Sequence, residues 1–256
     1  MKQSEDHKAQ IGDAAERKRR LILAELLESS SMEFIQKLDI NSGTNGLDMN
    51  CGEGQITFLL ARQIGQAGKM TGIDPDPVNI KIAEQKAAQS NIENVVFYSS
   101  GAFDKWAIQT YQFIFGRFLF SQNSNGLNLA RQLYDYLKPG GLIMLEEMET
   151  GNYNCFPYSY AFERYKELLI TLNLKKGIES NIGNKLDKLL EKAGFRNVQI
   201  QQLPPIFLKN EATFLPSLTF ESKMKAVEEQ KLASTAEIHD LLSELKNFET
   251  QEDTLI

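Results

Sequence analysis

The sequence predicts an α/β protein: a doubly wound, mostly parallel sheet with helices on both faces and a helical cap added to it. Three observations carry this. Short apolar runs alternate with segments whose apolar positions recur at helical spacing. The first run leads into a glycine-containing turn, Asp48-Met49-Asn50-Cys51-Gly52-Glu53-Gly54, at the start of a helical pattern. The second run ends in an acid, Asp74, 20 residues beyond Gly54.

The elements follow in order. Leu21, Ile22, Ala24, Leu26 and Leu27 suit a helix over about 13–28. Ser30-Ser31-Met32-Glu33 reads as a capping box that starts a second, short helix toward Leu38. Leu47-Asp48-Met49 is the first strand, and Ile56, Leu59, Leu60 and Ile64 line the next helix, closed by Gly65 and Gly68. Residues 69–73 form a second strand, and Pro77 begins a helix running to Ser90. Residues 95–98 and 112–115 are the third and fourth strands, with Arg117 just beyond the fourth. A helix lined by Leu127, Ala130, Leu133, Tyr134 and Leu137 is stopped by Lys138-Pro139-Gly140-Gly141, and residues 142–145 are the fifth strand. Helices are expected over 158–172 and 183–193, the latter ending at Gly194. A sixth strand is expected over 197–203, and residues 207–248 read as helical and charged. A seventh strand would begin near Thr254, and it is either cut short, absent or supplied by a partner. The domain reading is a helical segment at 1–45, a core at 46–206 with a helical insertion at 151–193, and a helical segment at 207–256.

Of the 256 residues, 42% are hydrophobic and 24% charged, which excludes collagen, coiled coil and wholesale disorder. The net charge of −6 disfavours a nucleic-acid partner, because phosphate-backbone binders carry a basic stripe. Only Cys51, Cys155, His7 and His239 offer a thiol or an imidazole, so neither a disulfide framework nor a metal site is expected. No secretory signal and no membrane-length apolar run is read, so the expected location is the cytoplasm, with no membrane partner.

Glycines in a strand-to-helix turn let backbone approach a ligand closely, and the helix behind offers free amides to negative groups. Asp74, at the tip of the next strand, suits both hydroxyls of a ribose. The ligand is therefore expected to contain a nucleoside. A dinucleotide site wants G-x-G-x-x-G, and counting from Gly52 puts Thr57 where the third glycine belongs.

The arrangement instead resembles the class I S-adenosylmethionine-dependent methyltransferases, small-molecule type. GLDMNCGEGQITFLLA is similar to their first motif, with Asn50 in place of its first glycine. GKMTGIDPD, NVVFYSSGAFD, FIFGRF, LKPGGLIMLEE and LLEKAGFRNVQI follow in the family's order, over residues 16–203. The resemblance implies that Asp48, Asn50, Cys51, Gly52, Gly54, Asp74, Pro75, Ser100, Gly101, Ala102 and Arg117 bind S-adenosylmethionine, with S-adenosylhomocysteine as product. Asn50 tolerates left-handed backbone angles. Family members often carry an acid where Ser100-Gly101-Ala102 stands, so the adenine contact here falls to Ser100, a backbone carbonyl or water.

The activity implied is methyl transfer to a small molecule by in-line displacement, with alignment and exclusion of water as the protein's main tasks. With no histidine in the motif region, any base is a carboxylate or tyrosine. Glu147 and Arg117 are the candidates for a catalytic role, with Glu146 beside them. Tyr153, Phe156, Tyr158, Tyr160 and Phe162 either wall an apolar substrate pocket or pack helices. The alternatives are a methyltransferase acting on protein or RNA, and a non-catalytic protein of this fold. A sticky edge left by the short last strand motivates an expected homodimer.

Overall fold

The computed structural model describes residues 14–38, 40–100, 108–203, 206–208 and 211–256. The chain divides into two compact units. One contains residues 26–148 and 182–199; the other contains the described residues of 1–25, 149–181 and 200–256. The first helix, α1 (Ala14–Lys37), contributes to both.

The first unit is built on five strands: β1 (Asn45–Met49), β2 (Lys69–Asp74), β3 (Val95–Ser99), β4 (Tyr111–Arg117) and β5 (Leu137–Glu146). They form one sheet in the order β3-β2-β1-β4-β5, and every pairing is parallel. Helices α2 (Gln55–Ile64), α3 (Pro77–Gln89), α4 (Gly126–Tyr136) and α6 (Gly183–Ala193) accompany it. The strands obey the period-two rule. Leu47 and Met49 of β1 and Ile114 of β4 join Leu129 and Leu133 of α4 and Leu190 of α6 in one buried cluster. Phe113 and Phe115 of β4 and Met70 of β2 join Ile56, Leu60 and Ile64 of α2 and Ile35 of α1 in another. Strand order reverses at β1, which pairs β2 on one side and β4 on the other. In such sheets the ligand crevice opens at the carboxyl ends of the two strands flanking the reversal.

The second unit is helical, with α5 (Tyr160–Lys175), α7 (Leu215–Glu229) and α8 (Thr235–Glu249) packed around Tyr165, Leu168, Phe220, Val227 and Leu241. Arg164 of α5 reaches Glu237 of α8 at 2.8 Å. Leu255 makes isolated antiparallel bridges to Phe156 and Leu208.

The structure departs from the sequence reading at four places. First, α1 runs unbroken through Ser30, and no second helix starts there. Ser30 and Ser31 turn their hydroxyls back onto the Leu27 carbonyl, and Glu33 pairs with Lys37, so the capping groups are spent inside a continuing helix. Second, Lys138-Pro139-Gly140-Gly141 is not a connection: β5 already begins at Leu137, paired with Tyr111, and the register shift before Phe113 absorbs the Pro-Gly-Gly segment. Third, residues 197–203 make no strand; Asn197 is left-handed, and Ile200 and Leu203 stand exposed. Fourth, the segment near Thr254 pairs outside the sheet. Among the described residues the sheet therefore has five strands, and no helix is long and apolar enough to cross a membrane.

Candidate functional site

Three residues of the turn between β1 and α2 adopt left-handed backbone: Asn50 at φ 60°, Gly52 at 56° and Gly54 at 86°. That conformation is costly for most side chains and cheap for Gly and Asn. The turn is tied down on both sides. The Cys51 N–H donates to the Ile73 carbonyl at 3.0 Å, and the Gly54 N–H to the Cys51 carbonyl at 3.0 Å. Glu53 accepts from Lys86 of α3 at 2.7 Å. A methyl group on Gly54 would lie 2.9 Å from the Phe58 ring and 3.0 Å from Phe97, so close packing forbids a side chain there. A methyl group on Gly52 would meet no atom within 4 Å, so space opens beside the turn at that point. Gly54 caps α2, and no cap side chain bonds the first amides of the helix.

Asp74, the last residue of β2, is buried against this turn. Its Oδ2 accepts the Gly52 N–H at 3.0 Å; its Oδ1 accepts the Asp76 N–H at 2.9 Å and Asn79 Nδ2 at 3.1 Å. The acid thus joins the turn to the start of α3. The cap of α3 itself is Asp76, which accepts from the Val78 N–H, while Pro75 lies half-buried between the two acids. The Ser100 N–H donates to the Asp74 carbonyl at 3.1 Å, so the end of β3 lies beside the same acid. Gly101 and Ala102 fall outside the described residues.

Asp48, inside β1, is buried and accepts from the Thr57 hydroxyl of α2 at 2.5 Å. Burial pushes its carboxyl up to about 7, against the pull of Thr57 and Arg117; Asp74 and Glu146 push the same way as burial. Burial, reinforced by Asp48 and Asp74, also pushes the Cys51 thiol up, which argues against a nucleophilic thiolate.

Arg117 and Glu146 end β4 and β5 side by side in register. Arg117 Nε pairs with Glu146 Oε2 at 2.6 Å, and the guanidinium also bonds Ser31 of α1. Ser31 Oγ also lies 3.0 Å from Glu146, so its one proton is shared between that carboxylate and the Leu27 carbonyl. Glu147 is half-buried, and its carboxylate accepts the N–H groups of Phe120 at 2.8 Å and Ser121 at 3.1 Å, at the start of a short 3-10 turn (Phe120–Gln122). Burial pushes its carboxyl up to about 7 despite those donors.

The structure therefore gathers Asp48, Asn50, Cys51, Gly52, Gly54, Asp74, Pro75 and Ser100 around one turn. It binds Arg117 to Glu146 and Ser31, and sets Glu147 on backbone amides. Sequence reasoning missed Ser31, Thr57 and Asn79. Thr57 left a signal: it occupies the position where a dinucleotide turn has its third glycine, and its hydroxyl there reaches the strand acid.

The Methyltransferase domain family matches residues 40–194. A demethylmenaquinone methyltransferase of Lactobacillus johnsonii is 24% identical over 188 residues, covering 67% of this chain and 75% of that protein. The enzyme of the same name from Lactococcus lactis is 28% identical over 179 residues, covering 63% and 69%. A SAM-dependent methyltransferase of Aquifex aeolicus shares the fold, with a TM-score of 0.51 at 20% identity, over 64% of this chain and 79% of that one. The left-handed turn, the uncapped helix behind it and the acid beside it sit within the matched span, and the chain belongs to the methyltransferase-domain family, as a class I S-adenosylmethionine-dependent methyltransferase.

Proposed function

We propose that the chain methylates a small organic molecule and that the 50–54 turn, Asp74 and Ser100 hold the cofactor. S-adenosylmethionine supplies a methyl group on a sulfonium, already activated for in-line attack by the acceptor atom. The turn's open side at Gly52 and the uncapped amides of α2 suit the amino-acid carboxylate, and Asp74 suits the ribose. Asp74 supplies negative charge that favours a cationic ligand, while Glu146 pairs with Arg117 and burial moves Asp48 toward its neutral form. Arg117 and Glu147 are assigned positioning roles. Arg117 fixes the ends of β4 and β5, and Glu147 fixes the 120–122 turn.

The observation that carries the reading is the left-handed Asn50–Gly52–Gly54 turn with Asp74 bonded to its middle. The relatives' names make a reduced quinone ring the first acceptor to assay. Calorimetric titration with S-adenosylmethionine tests the site. Asp74→Ala is expected to weaken binding about 100-fold, as loss of a charged hydrogen-bond partner does. Unchanged affinity in a folded variant would remove Asp74 from the sugar site. A homodimer in the cytoplasm completes the proposal, and sedimentation as a monomer would overturn the dimer.

A further inference from the structure

Just past β4 the chain turns on Phe118, whose φ is 55°. The left-handed region is cheap for Gly and Asn and an outlier for a bulky side chain. A turn alone would be served by either, as it is at Asn50, Gly52 and Gly54. Among the described residues Phe118 is the only aromatic one in that region. Its conformation is held from both sides. The Phe118 N–H donates to the Glu146 carbonyl at 2.8 Å. Before it, the Arg117 guanidinium is committed to Glu146 and Ser31. After it, Leu119 is buried over Gly116, where an added methyl group would lie 3.0 Å from Leu119 Cγ. The next two amides, of Phe120 and Ser121, are bonded to the Glu147 carboxylate. Leu119 and Phe120 belong to a buried cluster of the sheet unit. Phe118 is half-buried and, among the described residues, joins none of that unit's clusters.

Strained positions persist only where their surroundings over-determine them, and they gather at binding sites. The sheet puts Phe118 at such a place. Met49, the last residue of β1, pairs with Ile73 of β2 on one side and with Gly116 of β4 on the other. Asp74 follows Ile73 directly, and Phe118 stands two residues beyond Gly116. Neighbouring strands lie about 5 Å apart, so the ends of β2 and β4 stand on the order of 10 Å from each other across the turn. The β2 end carries the acid assigned to the sugar, which leaves the β4 end to the acceptor. An aromatic face there favours an offset aromatic ring over a saturated one of the same size. We propose that the Phe118 ring is a wall of the acceptor site and selects acceptors with a flat aromatic ring. This rests on the small-molecule reading above.

1-Naphthol is the probe, with 1-decalol as its saturated counterpart, each titrated calorimetrically into the full chain with S-adenosylhomocysteine present. 1-Naphthol is expected to bind about fivefold tighter or more, the worth of a stacked ring pair. Phe118→Gly suits the left-handed backbone and removes the ring, so it should fold as the parent does and weaken 1-naphthol about tenfold. Phe118→Tyr keeps the ring and should hold 1-naphthol within about threefold of the parent. Equal binding of the two probes, absence of 1-naphthol binding, unchanged affinity in Phe118→Gly, or equal losses in both variants would each overturn the wall. The same preparations are titrated with S-adenosylmethionine, which Phe118→Gly is expected to bind as the parent does. A parallel loss of S-adenosylmethionine would set the ring against the cofactor and overturn its acceptor role. Cofactor binding by the parent without 1-naphthol binding would sink only the wall. Binding of 1-naphthol that depends on Phe118 without cofactor binding would keep the ring as a ligand wall and sink the functional reading.

Discussion

Below about pH 7 Asp48 keeps a proton that its position in the sequence does not advertise. Its carboxyl is raised from 3.8 to about 7 because folding strips it of water inside β1. A group whose folded value lies above its unfolded one stabilises the native state fully below the unfolded value. That contribution is lost as pH rises through the folded one. The window is therefore pH 4 to 7, and the loss for Asp48 is on the order of 4 kcal/mol. Urea denaturation of Asp48→Asn is expected to show a flatter pH profile than the parent across this window. A parallel profile would mean that Asp48 is ionised in the fold. Some of this residue scale was legible beforehand. Asn50 was read as a residue that tolerates left-handed backbone, and it sits at φ 60°. The partner of Arg117 was not legible, because Glu146 lies 29 positions away and Ser31 86, and only the register of β4 with β5 and the course of α1 bring them together.

At the scale of elements, strands and helices with a clear period were read at nearly their true limits; α6 ends at Gly194 with φ 113°, as the glycine suggested. Errors fell where a local signal competed with burial. Ser30 and Glu33 have the spacing of a capping box, yet breaking the helix there would unseat Ser31 and Ile35, both fully buried. Pro139-Gly140-Gly141 has turn chemistry, yet it falls within β5 at the register shift that lets the strand begin early. The 197–203 segment alternates like a strand but finds no strand to pair with among the described residues. Ser31 is the test of the α1 attachment. Ser31→Ala leaves Arg117 and Glu146 each one partner short and is expected to cost about 1–2 kcal/mol. The urea midpoint should fall with the slope unchanged; an unaltered midpoint would show that the contact contributes nothing.

At the scale of the molecule, the buried cluster of the helical unit shares no residue with those of the sheet unit, so a cavity can be made in the first without touching the second. Leu241→Ala in the helical unit removes a fully packed side chain and is expected to cost roughly 2–5 kcal/mol. S-adenosylmethionine at 100 times its dissociation constant should still add about 2.7 kcal/mol to parent and variant alike. A much smaller increment in the variant would mean that the helical unit helps hold the cofactor. The fold class, the acid-and-glycine turn and the methyl-transfer chemistry were all legible because they depend on local residue types at fixed spacing. The division into two units was not, since the helical unit draws on three separate stretches of chain and the sheet unit on two, which only packing unites.

The two thiols differ in accessibility. Cys51 is buried within the turn, packed with Phe58 and Phe97, whereas Cys155 is half-exposed in the helical unit. A maleimide dye should therefore label one position per chain, Cys155, with mass spectrometry of the labelled peptides as the check. That single attachment point gives a fluorescent reporter in the helical unit without altering a single residue.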